Sequence, residues 1–366
     1  MKVRNRPKEH HVILTMAALV ILTLLGIHTV WPDAFGVFVA VAGAIGALVV
    51  LYEVRLTKRI AQAEFIRDLQ TGFSSDENIG ALWRKLLLKE PIPVEDRALI
   101  SSYLTFFETL GLLLDRGAIE LKLVDDLFRN RFFTAVGNPD ILRQTLISQA
   151  GAFANIHRLI ADWHEHLVQK GVPVHPGYYA YIEAITVAKG YQVEAVDLAH
   201  VAPVLDLQRR VRASMAGRAW LGKDLDAVLV DGSGLHAIRG VYRDGALVAA
   251  AVILDPVHYE RQSAVAGPNL PDASSTAVLH AVLVDPNHRN QGLGRTLVEL
   301  LERVVVEDED WNKQHVVCRI HPKNRTGRAL LTLLGYKRTN RFAVSHWFHQ
   351  ATYVRKLPIV RRQWAR

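Results

Sequence analysis

The chain has 366 residues, room for two or three domains, and its 50% apolar and 22% charged residues exclude a disordered or collagen-like protein. A lone cysteine, Cys318, excludes an internal disulfide framework and a zinc site built on several thiolates, and places the bulk of the chain in a reducing compartment. The net charge of +8 divides as +2 over residues 1–52, −1 over 53–190 and +7 over 191–366, while a mean hydropathy of +0.10 points to some residues in lipid.

Val12 to Trp31 is a run of twenty residues without formal charge, and after Pro32-Asp33 the run Ala34 to Tyr52 adds nineteen more. Each spans about 30 Å as a helix, the thickness of a hydrocarbon core. The apolar region of a signal peptide is shorter, and no second span follows it. Residues 1–53 are therefore expected to form a two-helix transmembrane hairpin. Lys2, Arg4, Arg6 and Lys8 precede it, Arg55, Lys58 and Arg59 follow it, and the turn carries neither Lys nor Arg. The positive-inside rule puts both termini, and everything after Tyr52, in the cytoplasm of a multi-pass membrane protein. Gly36, Ala40, Gly43, Ala44 and Ala47 would let helices approach closely, one route to a homo-oligomer.

Residues 54–170 read as an all-α cytoplasmic domain, another surface for oligomer or partner contacts. The second span continues toward Leu69, and apolar residues at three-four spacing mark helices around Leu99–Leu114, Leu121–Phe133 and Ile141–Leu167. Gly117 and Gly137-Asn138-Pro139 supply stops. The stretch Tyr103–Gly111 with Arg116-Gly117-Ala118-Ile119 resembles an uncharacterised bacterial helical domain found after membrane segments, over about 80 residues. His157, His164 and His166 suggest a metal site. Residues two apart on a helix face different sides, however, so exposed polar positions are the expectation. Residues 171–189 read as a linker.

In residues 190–366 the period changes. Gly190–Leu198 is expected as a strand, Val201–Met215 as an amphipathic helix, and Asp244-Gly245 as the turn of a hairpin. A loop from Asp255 to Ser275, with three prolines, is placed to shape an acceptor pocket. Thr276–Val284 is an apolar strand, and Arg289-Asn290-Gln291-Gly292-Leu293-Gly294 leads into a helix over Arg295–Val306. A glycine-rich turn at a helix N-terminus offers backbone N–H groups and the positive end of a dipole to a pyrophosphate. The spacing is not the dinucleotide fingerprint, and Arg295 stands where a P-loop needs its lysine. Five basic residues of the last twelve, Arg355, Lys356, Arg361, Arg362 and Arg366, form a basic tail. Without a basic helix carrying aromatics, a nucleic-acid partner is not expected.

The run Val284-Asp285-Pro286-Asn287-His288-Arg289-Asn290-Gln291-Gly292-Leu293-Gly294 resembles the V-x-P-x-x-R-x-x-G-x-G motif of the GNAT N-acetyltransferase superfamily. Asn324 with Leu333-Leu334-Gly335-Tyr336 is similar to its second element, Gly327 replacing the usual alanine. The likeness covers about residues 190–357. It implies an α/β fold, a GNAT-like mixed central sheet flanked by helices whose middle strands splay to admit acetyl-CoA. It implies that Arg289, Asn290, Gln291, Gly292, Leu293, Gly294 and Arg295 hold the pyrophosphate through their backbone. Val282 and Val284 would pair with the pantetheine amides, and Asn324 would lie near that arm, unless it serves only as a helix cap.

Acetyl transfer to an amine needs a proton acceptor, a donor to the thioester carbonyl and an acid for the thiolate. His280 is the candidate base, placed by strand alternation on the face of Val282 and Val284, with burial in the core as its bland alternative. Glu260 and His258 are further candidates by residue type. Relatives carry the acid at the position of Leu331, which donates nothing, so Tyr336 is the candidate acid, with water as the substitute. Cys318 reads as a small buried hydrophobe. The expectation is a membrane-anchored enzyme acetylating an unidentified amine by direct attack; the alternative is an inactive acyl-CoA sensor or scaffold.

Overall fold

The computed structural model describes residues 32–214, 223–232, 234–255, 271, 273–308, 310–311, 313–320, 324–345 and 348–357. The chain divides into two units, Met1–Thr71 and Gly72–Arg366. The first expected span, the loop residues His258 and Glu260, and the last nine residues lie outside the described set.

The first unit is described from Pro32, where helix α1 (Pro32–Ser75) begins and runs on into the second unit. Proline suits a first helical position because its missing N–H would lack an intrahelical partner anyway. The expected second span lies wholly in this helix, and Ile45, Leu48, Val50 and Leu51 on it are each more than half exposed. By length and composition, however, the one helix among the described residues apolar enough to cross a membrane is Val94–Asp115, a region not expected as a span.

That region contains α3 (Arg97–Asp115), whose Ile100, Tyr103, Leu104, Phe107 and Leu110 are fully buried. It packs among α2 (Glu77–Leu88), α4 (Leu121–Val136) and α5 (Ala154–Lys170). Rings of Phe73, Phe107, Phe128, Phe132 and Trp163 meet at centroid separations of 5.0–6.3 Å. The helix expected over Ile141–Leu167 is interrupted. A helical turn at Pro139–Ile141 passes into irregular turns, and α5 restarts at Ala154. The restart follows from a remote cap: Glu108 accepts from the N–H groups of Asn155 and Ile156 at 3.1 and 2.9 Å.

Most of the expected linker is also a helix, α6 (Pro176–Ala188), with Pro176 at its start. His175 caps it by accepting from the Gly177 N–H at 3.0 Å, while its other ring nitrogen lies 2.9 Å from Asn130 Oδ1. Burial, with Arg129 nearby, depresses His175 to about 4, so the ring stays neutral and Nδ1 is the acceptor. A Cβ on Gly177 would lie 1.9 Å from the Phe133 carbonyl oxygen, so α6 crosses α4 at a distance only glycine permits.

The α/β part is a seven-stranded mixed sheet in the order β1-β2-β3-β4-β5-β7-β6. Its strands are β1 (Gln192–Ala195), β2 (Leu235–Arg243), β3 (Ala246–Leu254), β4 (Thr276–Val284), β5 (His315–Ile320), β6 (Lys337–Ser345) and β7 (Phe348–Lys356). Asp244 and Gly245, at φ 52° and 77°, form the expected β2–β3 turn. One face is covered by α7 (Ala202–Ser214) and α8 (Lys223–Asp231), whose Val204, Leu207, Val211 and Leu229 pack on Ala250, Val252 and Leu283. The other carries α9 (Leu293–Glu307), with Leu297, Val298 and Leu301 against Ala249, Ala251 and Ala277. Then α10 (Arg325–Leu333) precedes β6.

Candidate functional site

Among the described strands only β4 and β5 pair in parallel, and their register stops at Leu279 opposite Cys318. Beyond it β4 follows β3, with Val282 opposite Ala251 and Val284 opposite Ala249, while β5 follows β7. The two middle strands thus part halfway along the sheet. The Asp285 N–H donates to the Val248 carbonyl, so by alternation Val282 and Val284 direct their N–H and C=O away from β3. They face the side that β5 has left.

The turn that follows is built by specific contacts. Asp285 accepts from the Asn287 N–H at 3.0 Å and from Arg210 Nε of α7 at 3.0 Å. Burial would raise its carboxyl, but these two partners hold it below the usual aspartate value. Arg210 also donates to the Leu247 carbonyl at 2.6 Å, fastening α7 to the turn. Asn290 and Gly292 take left-handed conformations at φ 62° and 83°. Gly292 is the N-cap of α9 and carries no side-chain cap, so the first-turn N–H groups are presented by backbone alone. Gly294 lies over the parting strands: a Cβ there would meet Val282 and Leu330 at 3.6 Å and Val284 at 3.8 Å.

The phosphate residues separate into those that face the turn and those committed elsewhere. Arg289 is exposed, its Nη2 3.2 Å from Ser214 Oγ. The Leu293 side chain is buried in the core, so only its backbone is available. Asn324 caps α10, accepting from the Gly327 N–H at 2.9 Å. A Cβ at Gly327, where the motif has alanine, would lie 2.2 Å from Ile320 Cδ1, a side-chain end that would have to shift.

The Arg295 side chain turns away into a buried cluster with the helical domain, which motif reading missed. Its Nε donates to Glu299 at 3.0 Å and its Nη2 to the Tyr178 hydroxyl at 3.2 Å. Tyr178 in turn donates to Glu299 at 3.0 Å, and the His164 ring stacks on Tyr178 at 4.2 Å. His164 is thus 4% exposed, against the expectation of a surface position. His166 points instead toward Asp125, at 3.8 Å, and no metal-holding group occurs among the described residues.

Burial raises the Glu299 carboxyl to about 7 against the pull of Arg295, and burial with Arg295 and Arg355 nearby depresses His164 to about 3. Folded Glu299 keeps its proton to higher pH than the unfolded chain, so its contribution falls as pH rises from 4.5 to about 7. His164 stays neutral while the unfolded chain takes a proton, so its contribution rises from about pH 3 to 6.5. The two slopes oppose over the shared window. Glu299→Gln removes the falling one, so the urea midpoint of the variant rises between pH 4.5 and 6.5, where the parent curve is flatter. Parallel curves would contradict this.

Two further expectations change, those for His280 and Arg355. His280 does not share a face with Val282 and Val284 by simple alternation: between Leu279 and Ala281 the register slips by one residue, a bulge at His280. Ala277 and Leu279 pack on the α9 side with Val282 and Val284, and His280 falls between the two phases. Tyr336 is buried at 3% exposure, its ring 5.9 Å from the Arg355 guanidinium. Burial beside Glu302 holds the Tyr336 hydroxyl well above its usual range, so it keeps its proton, and it packs in the same core as Cys318, where β4 and β5 stop pairing. Arg355 itself is no solvated tail charge but donates to Glu302 in a buried pair. Cys318 is buried as expected, and burial pushes its thiol to about 12.

Residues 204–336 match the model of the Acetyltransferase (GNAT) family. No curated protein matches the chain significantly. Among solved structures it is similar to the ribosomal-protein-S18-alanine N-acetyltransferase from Escherichia coli, at 17% identity and TM-score 0.32, over 46% of this chain and 94% of that one. An acetyltransferase from Streptococcus agalactiae gives 16% identity and TM-score 0.35, over 46% and 99%. The PaiA N-acetyltransferase from Thermoplasma acidophilum in complex with coenzyme A gives 9% and 0.33, over 45% and 98%.

Proposed function

We propose that the chain is a membrane-anchored N-acetyltransferase that takes acetyl-CoA as donor and acetylates an amine by direct attack. The observation that carries this reading is the parting of β4 from β5 beside an uncapped helix N-terminus. Backbone N–H groups of Gly292 to Arg295 would hold the pyrophosphate, and Val282 and Val284 would pair with the amides of the pantetheine arm. An N–H at the parting edge of β4 polarises the thioester carbonyl. Arg289, Asn290 and Gln291 shape the turn, and Asn324 supports it as the cap of α10. His280, set at the bulge, is the proton acceptor for the amine. Leu331 is buried and donates nothing, so water protonates the thiolate, whose ordinary pKa of about 8.5 makes it a tolerable leaving group.

Anchoring rests on the two apolar runs and on the exposed apolar surface of α1 between Ile45 and Leu51. Such a surface is stable in lipid and costly in water. Positive flanks on both sides support a cytoplasmic orientation for the acetyltransferase domain, the compartment that holds acetyl-CoA.

The test is thiol release from acetyl-CoA by the full chain in detergent, with a panel of primary amines. Release that depends on an amine supports the enzyme. Acetyl-CoA binding with no release under any amine supports the second reading, an acyl-CoA sensor, which the buried Leu331 favours.

A further inference from the structure

We infer that Lys189, from the end of the helical domain and outside residues 204–336, supplies the side-chain cation for the phosphates of CoA; this rests on the acetyl-CoA reading. A turn that binds several phosphate charges through N–H groups gains from a nearby cation. The arginine best placed in sequence, Arg295, does not serve, because its guanidinium is bonded to Glu299 and Tyr178 in a buried cluster. Arg289 spends one of its five donors on Ser214 of α7, so any cation from the helical region adds to it.

Lys189 is exposed, and its Nζ lies 3.4 Å from the carbonyl oxygen of Gln291, in the middle of the glycine-rich turn. A lysine held by one long bond to a carbonyl keeps donors for an anion. Its position is fixed by the fold. Lys189 is the C-cap of α6, and Tyr178 on that helix is bonded to Glu299 of α9. Two residues on, the Tyr191 hydroxyl lies 3.1 Å from His288 Nδ1, on the other side of the turn. Helix α6 therefore delivers a cation to the turn, with Tyr178 on the helix and Tyr191 just beyond it as anchors. The helical segment is then part of the cofactor site and not only a spacer.

Calorimetry on the full chain in detergent tests this with CoA and with 3′-dephospho-CoA. Lys189→Ala should weaken CoA binding about five- to tenfold, Lys189→Arg should retain most of it, and added salt should narrow the gap. A loss that persists with 3′-dephospho-CoA assigns the contact to the pyrophosphate, and a loss that vanishes assigns it to the 3′-phosphate. Either outcome supports the inference. Lys189→Met, which keeps the stem, replaces Lys189→Ala if that variant unfolds. Binding within about twofold of the parent at low salt would overturn the inference and leave the acetyl-CoA reading intact. A parent chain that binds no CoA overturns both.

Discussion

Gly294→Glu should abolish CoA binding in calorimetry while leaving the chain folded. A carboxylate at the second position of α9 would meet the phosphates at the turn, and like charges about 4 Å apart in a partly screened site cost enough for a loss of a hundredfold or more. The informative companion is Gly294→Ala. Its methyl would make only ordinary contacts, 3.6–3.8 Å from Leu330, Val282 and Val284, so the chain itself does not require glycine there. Replacing glycine inside a helix stabilises by about 0.5–1 kcal/mol. The methyl nevertheless stands between the turn and the parting strands, so CoA affinity should fall by about tenfold as stability rises. Affinity and stability moving in opposite directions marks a residue kept for its ligand. An alanine variant that binds as tightly as the parent would make Gly294 a structural glycine.

Arg355→Met destabilises the chain by about 3–5 kcal/mol, the cost of leaving a buried charge without its partner. Glu302 is 4% exposed, and Arg355 donates to it from β7. Burial already raises the Glu302 carboxyl, and losing Arg355 raises it further. Its folded form then holds a proton that the unfolded chain releases, so stability declines as pH rises and the defect is smallest in acid. Removing both charges, with Glu302→Leu beside Arg355→Met, should recover most of the loss. Thermal midpoints across pH check this. A loss below about 1 kcal/mol would mean that the pair behaves as a surface one.

The sequence carried the local features of the site and missed the long-range ones. The bounds of β4 and the turn at Asp244-Gly245 were legible because alternation and turn chemistry are local. So was the helix after Gly292, whose glycine spacing signals its start. The destination of Arg295 was not, because its partner Tyr178 lies 117 residues earlier and belongs to another run of helices. His164 failed for the same reason: a polar residue on a helix reads as exposed until an ion pair from elsewhere covers it. The face of His280 was misread because alternation assumes an unbroken ladder, and one extra residue in β4 shifts every later phase. The burial of Arg355 was not legible because a basic residue late in the sequence says nothing about the pairing of β7 with β5. The interruption around Ile141 needed Glu108 as a cap, again a partner remote in sequence.

The central claim is that the edge of β4 left by β5, together with the first turn of α9, receives acetyl-CoA. Amide hydrogen exchange on the full chain with and without CoA tests it most directly. The account predicts slowed exchange at Val282, Val284 and residues 291–295, and little change in the helices around Phe107 and Trp163. Saturating CoA that binds yet leaves those amides unchanged, or protects a different part of the chain, would contradict it.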